Sequence, residues 1–232
     1  DGFLHILDGT DHLLFLFCLV IPLRRVRTLV GVVTAFTVAH SITLIASAYD
    51  VVPEALWFPP LVETLIALSI VYMAFENIVA PKLQRRWMIT FGFGLIHGFG
   101  FSFALRETLQ LAGSHVLTSL VAFNVGVELG QLLVLVLLVP LLDLAFRYVV
   151  AERMGTIILS AIVAHTGWHW MTERGDALMQ YRFTLPAFDA AFMADILRWL
   201  MLALIAGGLW WLLGSLLRGR TAVQETPAGV EK

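Results

Sequence analysis

Long apolar runs constrain this chain more than any other feature. A helix that crosses the hydrocarbon core of a bilayer needs about 20 consecutive, mostly apolar residues. The sequence offers seven such stretches, near residues 3–23, 28–48, 58–80, 88–106, 115–145, 155–172 and 191–217. Strands do not compete, because the runs are long and rich in Leu, Ala and Phe without sustained alternation. Composition agrees: 59% of the 232 residues are hydrophobic and only 14% charged, where a soluble domain has about a quarter charged. The expectation is an all-α polytopic membrane bundle of about seven transmembrane helices over residues 1–217, with a flexible cytoplasmic tail at 218–232.

Charge sets the expected orientation. Arg24, Arg25, Arg27, Lys82, Arg85, Arg86, Arg147, Arg153, Arg218, Arg220 and Lys232 would share one side, eleven cations against four for Arg106, Arg174, Arg182 and Arg198. Cytoplasmic loops carry the excess of Lys and Arg, which puts the N-terminus outside and the C-terminus inside, as an odd helix count also requires. Net charge is -2, so there is no basic footprint for nucleic acid. Cys18 is the single cysteine, which excludes an intrachain disulfide and a thiolate metal cluster. The chain opens on Asp1 rather than Met, and a segment upstream of it is expected.

Against this apolar background the polar residues stand out. An ionisable side chain within a span costs about 2.5–3.5 kcal/mol on insertion scales, so such groups line a cavity or pair with one another. The first span carries His5, Asp8, Asp11 and His12. At about 100° per residue His5 and His12 nearly eclipse on a continuous helix, with Asp8 and Asp11 on the same face. Two imidazoles and two carboxylates supply donors that Zn²⁺, Ni²⁺ or Co²⁺ accept; Asp11 and His12 can also simply cap or pair at a helix end. His40 lies near the middle of the second span, where a lone buried histidine is more often a hydrogen-bonded core residue than a ligand. The third span has Glu63 near its outer end and Glu76 with Asn77 near its inner end, where Lys82, Arg85 and Arg86 offer ion-pair partners.

His97 sits among Gly92, Gly94, Gly98 and Gly100, glycines that let a neighbouring helix approach or the helix open. Asn124, Glu128 and Gln131 share one face of the fifth span, a costly placement for a carboxylate that favours ligation or proton handling. His165 and His169, at i and i+4 in the sixth span, can chelate one ion or stand as interfacial residues beside Trp168 and Trp170. Counted from the assigned loops, His5 to His12, His40, Glu63, His97, Asn124, Glu128, His165 and His169 all fall between mid-bilayer and the outer face. That shared depth is the argument for one polar metal centre.

The pattern His5-x5-Asp11-His12 followed by Leu13-Leu14, VAHS around His40, LIHGFGF around His97 and FNVGVELGQ at 123–131 together resemble the HupE/UreJ family of bacterial membrane proteins. The resemblance covers most of the first five spans, and LDGTDHLLFL with the glutamates of spans three and five points to a divergent branch. It implies a permease for nickel or cobalt in the bacterial inner membrane, with His5, Asp11 and His12 in a first metal-handling motif and His97 in a second. Two other readings remain open on the residues alone. One is an intramembrane zinc-dependent hydrolase built on His40, His97, His165 and His169 with a carboxylate base; the other is an assembly subunit that metal merely holds together. The lipid bilayer and a metal ion are the expected partners, and oligomeric state is not legible.

Overall fold

A computed structural model describes residues 1–49, 55–79, 85–109 and 116–181, with side chains as far as residue 101 in the third segment, and the separate positions 193, 197, 198 and 201. The chain divides into two units, Asp1–Tyr181 and Arg182–Lys232. The first is all helix among its described residues: α1 (Gly2–Asp8), α2 (Thr10–Val20), α3 (Val26–Ala48), α4 (Phe58–Val79), α5 (Arg86–Leu109), α6 (Val116–Tyr148) and α7 (Glu152–Met179). The seventh expected span and the expected tail lie outside the described residues, apart from the four separate positions.

Helix ends follow local chemistry. α2 stops at Val20; Ile21 keeps helical backbone and still donates to the Phe17 carbonyl, but Pro22 has no N–H with which to continue the ladder. α4 opens Phe58-Pro59-Pro60, where prolines fit the first turn because their missing N–H groups would have no partner there. α6 runs for 33 residues with Pro140 inside it. At 1.5 Å per residue it is about 50 Å long, more than the roughly 30 Å of hydrocarbon.

Three of these helices, α3, α4 and α6, are long and apolar enough to cross a membrane. α1 and α2 pass that test together as one broken span, bent by 77°. The expected first span is therefore two short helices rather than one. α5 and α7 have the length but also carry the glycines, histidines and charges that the sequence shows, so six helical segments match the expected positions while at most four satisfy the apolar criterion. The side-chain pattern is that of a membrane protein: α6 exposes Leu117, Val121, Val125, Leu129, Leu133, Leu137, Leu141 and Leu144, an apolar stripe at helical spacing turned away from the protein.

α2 lies in the core, burying Phe15, Leu16, Cys18, Leu19 and Val20. Its C-terminal end is fastened by cations. Arg24, in the connection after α2, donates to the Ile21 carbonyl and pairs with Asp143 at 2.5 Å and Glu152 at 2.7 Å, tying that connection to α6 and α7. Arg86 is fully buried and donates to Glu76 at 3.1 Å, to Asn77 and to the Leu19 carbonyl at 3.4 Å. Asn77 in turn donates to the Cys18 carbonyl at 2.9 Å. These contacts supply partners for carbonyls in the last turn of α2, which have none within the helix.

α3 and α5 pack closely because Gly94 and Gly98 leave no side chain between them. A Cβ at Gly94 would lie 2.6 Å from the Phe36 carbonyl oxygen; at Gly98 it would run into Thr43 Oγ1 and sit 2.5 Å from the His40 carbonyl oxygen. This is the small-residue spacing by which membrane helices approach one another. It brings the helices that carry His40 and His97 into contact.

Candidate metal centre

The bend between α1 and α2 turns on Gly9. A Cβ there would lie 2.7 Å from the His5 carbonyl oxygen, 2.9 Å from His12 Nδ1 and 3.1 Å from Asp11 Oδ1. Only glycine fits, and the chain folds back so that His5, in the last turn of α1, meets His12, in the first turns of α2. Their ring centroids are 4.7 Å apart. The two histidines converge across a corner, rather than by eclipsing on a continuous helix as the sequence spacing predicts. Asp8-Gly9 is a turn dipeptide, and it was the available signal for the break.

Two further rings close on this corner. His40 of α3 lies 6.1 Å from both His5 and His12, and His97 of α5 lies 5.3 Å from His12, centroid to centroid. Donor atoms of His5, His12 and His40 fall within 4.8 Å of one another. A metal held at about 2.1 Å from each nitrogen asks for donor separations of about 3 Å, so the three rings would have to draw closer on binding an ion.

The hydrogen bonds decide which nitrogens are available. His12 Nδ1 lies 3.0 Å from Asp11 Oδ1, which also accepts from the His12 backbone N–H at 2.9 Å. A carboxylate only accepts, so the proton sits on Nδ1 and Nε2 keeps its lone pair. His97 Nδ1 likewise donates to the Phe93 carbonyl at 2.9 Å, leaving Nε2 bare. His5 Nε2, His12 Nε2, His97 Nε2 and both ring nitrogens of His40 are buried with no hydrogen-bond partner. Buried polar atoms are nearly always paired, because desolvation without compensation is costly. An electron-pair acceptor at the common centre of His5, His12 and His40 would take up one bare lone pair from each ring, while the second ring nitrogen of His40 carries its proton and has the Asn124 side chain beside it.

A cavity of about 180 Å³ adjoins the cluster, lined by His5, Asp11, His12 and His97 together with Glu63, Trp170 and Arg174. Glu63 faces Arg174 at 3.3 Å.

The remaining sequence candidates lie elsewhere. Asp8 is exposed at the end of α1. Asn124 donates to the Leu120 carbonyl at 2.9 Å and stands beside His40. Glu128 accepts from Thr34 at 2.6 Å and, with Asn124, faces a separate groove between α3 and α6. His165 and His169 contact one another, centroids 4.5 Å apart, on an exposed part of α7 away from the cavity lining. Sequence reasoning missed the corner at Gly9, the Phe93 carbonyl that orients His97 and the Arg174 partner of Glu63.

The HupE / UreJ protein family model matches residues 1–174. The chain belongs to the HupE/UreJ family. This HupE/UreJ match takes in every residue of the histidine cluster and its cavity and reaches Arg174. The family is associated with nickel and cobalt uptake. No curated protein and no solved structure matches the chain.

Proposed function

We propose that this chain is a membrane permease for a divalent transition metal, nickel or cobalt, with His5, His12, His40 and His97 as its ligands. The observation that carries the reading is the set of buried, unpartnered ring nitrogens of His5, His12 and His40 within 4.8 Å of one another, with the His97 ring against that of His12. A structural core histidine keeps its ring nitrogens bonded; here the bonded nitrogens of His12 and His97 serve to orient the free ones. Neutral imidazole suits Ni²⁺ and Co²⁺, and kinship with nickel and cobalt uptake proteins narrows the choice to these two. Zinc is supported only by donor type.

Asp11 acts through His12: it fixes the tautomer and raises the basicity of Nε2. Because the ligands come from α1, α2, α3 and α5, a small shift of one helix changes the donor set, as release on the far side requires. The cation count favours the N-terminus outside and the C-terminus inside, and kinship with the family favours the bacterial inner membrane. Within it the anchored end of α2, with Arg24 and Arg86, faces the cytoplasm.

The test is uptake of Ni²⁺ and Co²⁺ into liposomes containing the purified chain, beside His12→Ala and His40→Ala. Saturable flux that falls at least about tenfold in each variant is expected. Wild-type flux no greater than in empty liposomes, with the metal still bound, would replace the permease with a metal-holding subunit.

A further inference from the structure

A cavity that takes up cations has no evident need of a guanidinium in its wall, yet α7 places Arg174 there. Arg174 and Glu63 are 38% and 53% exposed, whereas His12 and His97, which also line the cavity, are 5% or less. The pair therefore stands at the mouth and the histidines at the floor. Arg174 Nε is 3.3 Å from Glu63 Oε2, and its guanidinium lies 5.7 Å from the Trp170 ring, which supports it from behind. Glu63 belongs to α4, which packs against α7 through Gly167, where a Cβ would be 3.0 Å from Val71 and 3.3 Å from Ile70.

In this arrangement the carboxylate at the mouth is already neutralised. A monovalent cation has no advantage over the guanidinium, which offers a directed N–H to the same oxygen. A divalent transition ion does, because it carries twice the charge and coordinates carboxylate oxygen directly. We propose that the Glu63–Arg174 pair is an entry latch selective for divalent cations: the incoming ion displaces Arg174 from Glu63 and then passes to the histidine nitrogens. This inference rests on the metal-site reading above. It gives Glu63 the role of first contact rather than final ligand, and makes Arg174 a specificity-determining residue.

Stopped-flow binding of Co²⁺ to the purified full chain in detergent, at fixed ionic strength, tests it. Arg174→Gln exposes the carboxylate and is expected to raise the association rate roughly tenfold, whereas Glu63→Gln is expected to lower it by a similar factor. A pair that only clamps α4 to α7 predicts the same direction of change for both variants, and that result, or no change in either, overturns the latch. Arg174→Lys keeps the charge and drops the planar fork. If Arg174→Gln does not fold, a rate for Arg174→Lys no faster than wild type overturns the proposal in its place. Co²⁺ bound per wild-type chain at saturation is measured alongside. Bound cobalt with unmoved rates removes the latch and leaves the site, and no bound cobalt removes both.

Discussion

Two buried polar clusters among the described residues solve the same problem in opposite ways. At the anchored end of α2, Arg86 is fully enclosed and Glu76, Asn77 and the Leu19 carbonyl all accept from it, with Asn77 passing a further bond to the Cys18 carbonyl. At the other end of the bundle, four histidines are brought together and each keeps a bare ring nitrogen. Burial costs both clusters free energy. The first recovers most of it from protein partners, with Arg86 Nε left unpaired, so it serves stability; the second keeps a bare nitrogen on every ring, so its recovery depends on a ligand from outside. Satisfaction, more than burial or charge, separates structure from function in an apolar bundle.

The largest effect expected from breaking this contrast is at the satisfied cluster. Arg86→Ala takes from Glu76 its ion-pair partner on α5 and from Asn77 Oδ1 the guanidinium that donates to it, and the loss of one partner from a buried ion pair costs about 3–5 kcal/mol. Thermal unfolding in detergent should show a marked drop in midpoint, while whatever folded protein remains binds Ni²⁺ or Co²⁺ with wild-type affinity. A variant with unchanged stability and weakened metal binding would reverse the assignment of the two clusters.

How far the sequence reveals this architecture depends on how local each cause is. Helix positions are legible because lipid imposes a length of apolar residues on each span, and α3, α4 and α6 start and stop within a few residues of expectation. The polar residues are legible as exceptions to that rule, and Gly94 and Gly98 as points of close approach. Two things are not local. The corner at Gly9 replaces a helical face by a fold-back, so the argument from eclipsed His5 and His12 reached a true proximity for the wrong geometric reason. Equal depth, the other argument, does not separate His40 and His97, which face inward, from His165 and His169, which face outward, because depth is set by position along a helix and facing by rotation about it. Pairings such as Glu63 with Arg174 need the tertiary contact itself.

A smaller effect, confined to the unsatisfied cluster, is expected from Asp11→Asn. The amide keeps the size of the side chain but gives up the charge that fixes the His12 Nδ1 proton and strengthens Nε2 as a donor. Loss of such a supporting carboxylate typically costs 10–100-fold in metal affinity, about 1.4–2.7 kcal/mol. Isothermal titration with Ni²⁺ should show that weakening with little change in unfolding midpoint. Wild-type affinity in Asp11→Asn would mean that the carboxylate neither binds the ion nor supports the histidine that does.

The smallest effect expected is at a site that resembles a metal motif in sequence more than any other here. His165 and His169 have the i, i+4 spacing of a chelating pair, and their rings touch at 4.5 Å. They are exposed on α7, however, and neither ring is among the walls of the cavity shared by His5, His12 and His97. His165 and His169 share no donor set with His5, His12 and His40, and two donors alone leave most of an ion's coordination unfilled. The double variant His165→Ala, His169→Ala is therefore expected to change Ni²⁺ affinity by less than about twofold, within 0.5 kcal/mol, the range for surface substitutions. Titration of that variant beside His12→Ala sharpens the comparison most: equal losses in both would place the ion against α7 and leave the bare nitrogens of the α2 corner without their ligand.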